Sequence, residues 1–135
     1  MSQSIVNRCN LLVILAVGFA LWGCEGRRVE QLNSRLNAYW EGLRWRNPGS
    51  ASMLVAPEKR QSYLGKLTKQ LDTIRVVDYN IASLNVEKDR QSATAIINYS
   101  YYSINENDLH STQELQQWDF VKDDGWLLHI RDTAK

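Results

Sequence analysis

The chain has 135 residues, with 16 Lys and Arg against 15 Asp and Glu and a formal net charge of +1. This balance gives no general electrostatic pull on a polyanion, so a nucleic-acid partner is not expected. Only two cysteines and two histidines are present, and they form no paired CxxC and no spacing that suggests a zinc centre.

Residues 1–10 are polar with a single cation, Arg8, and Leu11 to Trp22 run without a charge into Gly23 and Cys24. A positive start, a short apolar segment and a small residue before the cut describe a secretory signal. The run is shorter than the roughly 20 apolar residues of a membrane span. Leu21-Trp22-Gly23-Cys24 resembles the lipobox of bacterial lipoproteins. That resemblance implies cleavage before Cys24 and acylation, palmitate included, of the cysteine. The expected organisation is a signal peptide over 1–23, a short lipidated tether over 24–27 and one domain over 28–135. Cys9 would leave with the signal, so Cys24 would be the single cysteine of the mature chain, and no internal disulfide would support the domain. Two or three acyl chains hold durably where one holds marginally, which makes the membrane a partner. Arg27 and Arg28 fall within four residues of the anchor. They suit contact with lipid headgroups, or else form a solvated pair at a helix start. Glu25 after the cysteine points to the outer membrane, facing the periplasm.

Val29, Leu32, Leu36, Tyr39, Trp40 and Leu43 recur at three- and four-residue steps, which predicts an amphipathic helix over about 28–46. Asn47-Pro48-Gly49 stops it. A second helix begins at Pro57, turning Tyr63, Leu64, Leu67 and Leu71 inward and Lys59, Arg60, Lys66 and Lys69 outward. From Val76 to Val86 the residues are β-formers whose apolar parity shifts, from Val77, Tyr79 and Ile81 to Ala82, Leu84 and Val86, as one extra residue in a bulge would cause. A charged turn at 87–90 leads to a strand with Ala93, Ala95, Ile97, Tyr99 and Tyr101 on one face. A third strand over about 109–122 has Trp118 and Phe120 on one face, and Asp123-Asp124-Gly125 turns into a fourth with Trp126, Leu128 and Ile130 in step. Two helices followed by a curved, mostly antiparallel four-stranded sheet make an α+β domain.

This order resembles the nuclear transport factor two-like (SnoaL-like, cystatin-like) cone fold, particularly in small exported lipoproteins. The resemblance rests on Tyr39-Trp40 in the first helix, Leu54 to Arg60 entering the second, Val77 to Ile81 opening the sheet, Trp118, and the Gly125-Trp126 turn. It implies a curved sheet wrapped around the first helix, with a pocket at the open end. Tyr99, Tyr101, Trp118, Phe120 and Trp126 would line that pocket or fill it. It also implies a homodimer through the outer sheet face, here carrying Ile96, Asn98, Tyr102, Gln117, Asp119 and His129.

Some members of that fold are isomerases and dehydratases with an acid–base Asp or His and a Tyr inside the cone. Asp119, His110, His129, Tyr99 and Tyr101 are the corresponding residue types. Parity turns Asp119 away from Trp118 and Phe120, and His129 away from Trp126, Leu128 and Ile130. No catalytic residue, cofactor or metal is therefore expected, unless a carboxylate is buried inside the cone. The favoured expectation is a non-enzymatic, lipid-anchored accessory subunit that meets another envelope protein. The alternatives are a carrier of a small apolar ligand and an isomerase- or dehydratase-like enzyme. Trp45 falls off the first helix's stripe, as a pocket rim or an exposed anchor.

Overall fold

The computed structural model describes residues 26–131. The expected signal and Cys24 lie outside the described residues. The chain divides into two compact units, Met1–Glu30 and Gln31–Lys135. Of the first, residues 26–30 are described and helical, with Arg27 exposed and Arg28 half-buried. Among the described residues no helix is long and apolar enough to cross a membrane.

Helix α1 covers residues 26–44. It buries Leu32, Leu36, Tyr39, Trp40 and Leu43, the stripe its periodicity predicts except at Val29, which is exposed. Arg46 then takes a left-handed φ of 54°, and the Asn47 N–H donates to the Gly42 carbonyl at 2.7 Å. Asn47-Pro48 is more than a stop, because it also starts a second helix. The Asn47 side chain accepts from the Ser50 N–H at 3.1 Å and Pro48 takes the first turn of α2, Pro48–Ser52. A side-chain acceptor before a proline is a strong helix start. The five-residue length hid α2 from periodicity.

Gly42 explains how α2 fits. A Cβ at this position would stand 3.2 Å from both the Cβ and the backbone nitrogen of Ala51. Glycine inside a helix costs about 1 kcal/mol relative to alanine, and here that penalty permits close approach of α1 and α2. Gly42→Val should overpack the contact and destabilise the domain by about 1–3 kcal/mol, read as a lower urea midpoint.

A single 3-10 turn, Pro57–Lys59, precedes α3, Arg60–Thr73. Lys59 and Arg60 do not form the purely solvated face their charge suggests. Lys59 Nζ donates to the Ile130 carbonyl at 3.0 Å, and Arg60 donates to the carbonyls of Val55 at 3.0 Å and Met53 at 3.1 Å. Both cations satisfy backbone oxygens at the joint between helices and sheet.

The four strands β1 (Ile74–Val86), β2 (Ser92–Ser103), β3 (Leu109–Val121) and β4 (Gly125–Leu128) form an antiparallel meander in sequence order. Strand β1 shifts register twice, between Val76 and Asp78 and between Ile81 and Ser83. The second shift is the bulge expected near Ala82. The first reverses the expectation for Val77, which is exposed, whereas Val76 is buried. On β2, Ala93, Ala95 and Ile97 are buried in step. Strand β4 is buried on both faces at Trp126, Leu127 and Leu128, and Val55 lies beside its edge in a parallel bridge. There the Leu128 N–H donates to the Leu54 carbonyl at 2.7 Å. The core thus lies between α1, α3 and the concave face of the sheet.

Candidate functional site

The concave face is not completely filled. A cavity of about 240 Å³ remains, lined from α1 by Tyr39, Trp40 and Leu43, from α3 by Tyr63, Gln70 and Leu71, and from the sheet by Ile74, Val76, Tyr99 and Glu114. At about 30 Å³ per liquid water, this space exceeds a few solvent molecules.

Glu114 reaches the cavity through strand parity. Counting back by twos from buried Trp118 places Gln116 and then Glu114 on the concave face. The three side chains form a hydrogen-bonded row. Trp118 Nε1 donates to Gln116 Oε1 at 3.3 Å, and Gln116 Nε2 donates to Glu114 Oε1 at 2.9 Å. Burial raises the Glu114 carboxyl above its ordinary pKa of 4.5, and the Gln116 hydrogen bond opposes that rise only in part. A carboxyl held in this way retains its proton more readily than a surface glutamate, the property expected of a group poised to bind or exchange protons.

Opposite the strand, the Tyr39 and Tyr63 hydroxyls meet at 2.6 Å. Each tyrosine has one proton, so whichever hydroxyl accepts within the pair still has its own O–H to offer. Burial raises the Tyr39 pKa well above 10 and that of Tyr63 to about 12. Both remain neutral donors across the physiological range. Trp40 joins the two helices to the sheet, with its ring 5.7 Å from Tyr39 and 4.8 Å from Tyr99. Its indole N–H is buried without a hydrogen-bond partner among the described residues. Such an orphan donor costs about 1–3 kcal/mol and is uncommon enough to single out a site.

Of the five aromatics expected around the pocket, Tyr99 lines the cavity. Tyr101 stands beyond it, 5.8 Å from Tyr99 and stacked on His110 at 5.3 Å. Trp118 and Trp126 are wholly buried in the core, and Phe120 packs edge-on against Trp126 at 5.4 Å. His110 is in β3, 3.5 Å from Glu106. His129 Nδ1 lies 2.8 Å from Asp119 Oδ2, with both side chains about half exposed. Asp119 has the parity opposite to Trp118, so this pair is separate from the concave-face cavity. Trp45 is 74% exposed and donates to Glu41 at 2.7 Å.

A wider depression of about 540 Å³ crosses the outer face of the sheet near Asp78, Asn80, Asn98, Ser100 and Gln113. It is broad and open to solvent, and Gln113 already donates to Asn98 at 2.9 Å. The smaller cavity is the better site because it brings together a desolvated carboxyl, a free tyrosine proton and aromatic walls.

No protein-family model and no curated protein matches the sequence. Among solved structures, a candidate dehydratase of the nuclear transport factor two-like family from Streptomyces avermitilis superimposes with a TM-score of 0.60 at 15% identity, covering 77% of this chain and 92% of the other. A candidate polyketide cyclase from Xanthomonas campestris pv. campestris gives 0.56 at 9% identity, over 77% and 93% of the two chains. A protein containing a SEC-C motif from Rhodopseudomonas palustris gives 0.57 at 11%, over 78% and 77%. The domain therefore has the nuclear transport factor two-like fold, an α+β cone with its helices against a curved antiparallel sheet. At these identities the likeness concerns fold alone.

Proposed function

We propose that this domain binds a small ligand inside the cone, and that it does so at the bacterial envelope, anchored by lipid on Cys24. The observation that carries the binding reading is the unfilled cavity with Glu114 in its wall. One neutral hydrogen bond from Gln116 offsets the burial of the Glu114 carboxyl only in part, and a ligand that satisfies the remainder is the simplest reason for its presence. A filled cone with an apolar outer patch would favour the accessory-subunit reading expected from the sequence, whereas an open cavity favours a ligand. The test is a thermal-shift screen of fragment-sized compounds. Wild type should be stabilised by at least one compound, and Ile74→Trp, which introduces an indole at the half-buried edge of the cavity, should lose the response. A response equal in wild type and variant, or no response from any compound, would count against a ligand in the cone.

A second reading is acid–base catalysis, favoured by the raised pKa of Glu114 opposite the neutral Tyr39–Tyr63 pair. The pairing of a proton acceptor with a hydroxyl donor across one cavity suits proton transfer, and two structural neighbours are a candidate dehydratase and a candidate cyclase. Turnover of a bound compound that disappears in Glu114→Gln would move the protein from binder to enzyme.

The anchor rests on the Leu21-Trp22-Gly23-Cys24 pattern. Intact-mass measurement should find acylated Cys24 as the first residue of the mature chain, and Cys24→Ser should abolish acylation. An unlipidated wild-type terminus would end this account of localisation.

A further inference from the structure

The cavity lining is electrostatically one-sided. Glu114 is its single ionisable carboxyl, and none of the lining residues is Lys, Arg or His. Arg46 donates to the Leu71 carbonyl at 3.3 Å but is not part of the lining. The remaining wall combines four aromatic rings, Tyr39, Trp40, Tyr63 and Tyr99, with aliphatic side chains and Gln70, and the π-systems of those rings carry negative faces. Carboxylate and aromatic rings around one small space are what a desolvated organic cation requires. An anion would meet Glu114, and a wholly apolar compound would seal off that carboxyl without pairing it. The volume falls below the roughly 300–1,000 Å³ of sites for drug-sized ligands, so the compound is small. The spare proton of the Tyr39–Tyr63 pair calls for an oxygen acceptor on the same compound.

Resting on the reading that the cone binds a ligand, we infer that this ligand is a small organic ammonium ion carrying an oxygen. Its cationic end lies against Glu114 and the aromatic walls, and its oxygen accepts from the Tyr39–Tyr63 pair. The groups facing Glu114 are Tyr39 from α1, Tyr63 from α3, Tyr99 from β2 and Gln116 from β3, none of them cationic. Ionisation of Glu114 thus governs the charge of the site.

The test is isothermal titration of the full-length protein in dodecyl maltoside, a detergent without an ammonium group. The probes are choline, ethanolamine and dimethylbutanol, the neutral analogue of choline in which carbon replaces the charged nitrogen. Choline or ethanolamine should bind saturably, and dimethylbutanol at least about ten-fold more weakly. Glu114→Gln should weaken ammonium binding by about the same factor and leave dimethylbutanol unchanged. Ammonium affinity should rise as pH increases through the Glu114 pKa, with no such trend for the neutral analogue. Competition by phosphatidylcholine in mixed micelles with the same detergent assigns the ammonium to a lipid headgroup, and its absence assigns a free compound; both results retain the ligand class. Equal affinity for choline and dimethylbutanol overturns the inference and leaves the small-ligand reading standing. So does the binding of other fragments with no heat from either ammonium probe. If no compound of any class binds, both readings fall together.

Discussion

Trp118→Ala should be among the most damaging single changes in the domain, costing about 3–5 kcal/mol. The indole is fully buried, packs edge-on against Tyr39 at 6.4 Å, and donates to Gln116 at 3.3 Å. Its removal leaves a void between helix and sheet and frees the glutamine that fixes Glu114. A domain of this size has a total stability of about 5–15 kcal/mol, so the variant would lose a large share of it. At roughly 4–8 °C per kcal/mol, the thermal midpoint should fall by more than ten degrees. Trp45→Ala, which removes an equally large side chain from an exposed turn, should stay within about 0.5 kcal/mol. Comparable losses at both tryptophans in urea titrations would contradict the placement of the core.

Glu114→Gln should act in the opposite direction and make the protein more stable at neutral pH. The raised pKa means that the folded state holds this proton more tightly than the unfolded chain does. The group's contribution is therefore complete below the unfolded value near 4.5, and it is lost as pH rises through the higher folded value. Above that window wild type carries a desolvated charge, whereas glutamine keeps the shape and can still accept from Gln116. Thermal melts should show the variant ahead of wild type at pH 7–8 and the gap closing toward pH 4. Since about 1 kcal/mol moves the midpoint by roughly 4–8 °C, a modest gain is measurable. A variant no more stable than wild type at pH 7–8 would show that Glu114 is not held at a cost. Gain of stability with loss of ligand response is the pattern of a residue retained for function.

Most of the framework was legible because its signals are periodic. The α1 stripe from Leu32 to Leu43 and the alternation from Ala93 to Ile97 follow directly from residue spacing. The parity break at Ala82 was readable for the same reason. The other break, at Val77, was not, because adjacent valines offer either residue to the core and only pairing with β2 decides between them. The cavity carboxyl had a usable signal. The alternation that buries Trp118 continues backward through Gln116 to Glu114, yet two polar residues on an inward parity read more easily as the end of a strand than as a site. The Tyr39–Tyr63 contact joins helices 24 residues apart, and no local pattern encodes that meeting. Asp119 and His129 carried the opposite lesson, because parity turned both away from the cone and the structure pairs them with each other.

The two irregularities in β1 also bear on how one copy of the sheet meets another. With 13 residues, this strand is the long free margin of the sheet, and a straight margin of that length would template addition of another molecule's strand. An extra residue at Val77 and another at Ala82 interrupt the repeat of free N–H and C=O groups and increase the local twist. The opposite margin, β4, spans only four residues and is capped by Val55. If lipid confines many copies to one membrane plane, collisions between neighbouring sheets become frequent, and a chain with both margins spoiled for pairing can be crowded there without forming fibrils.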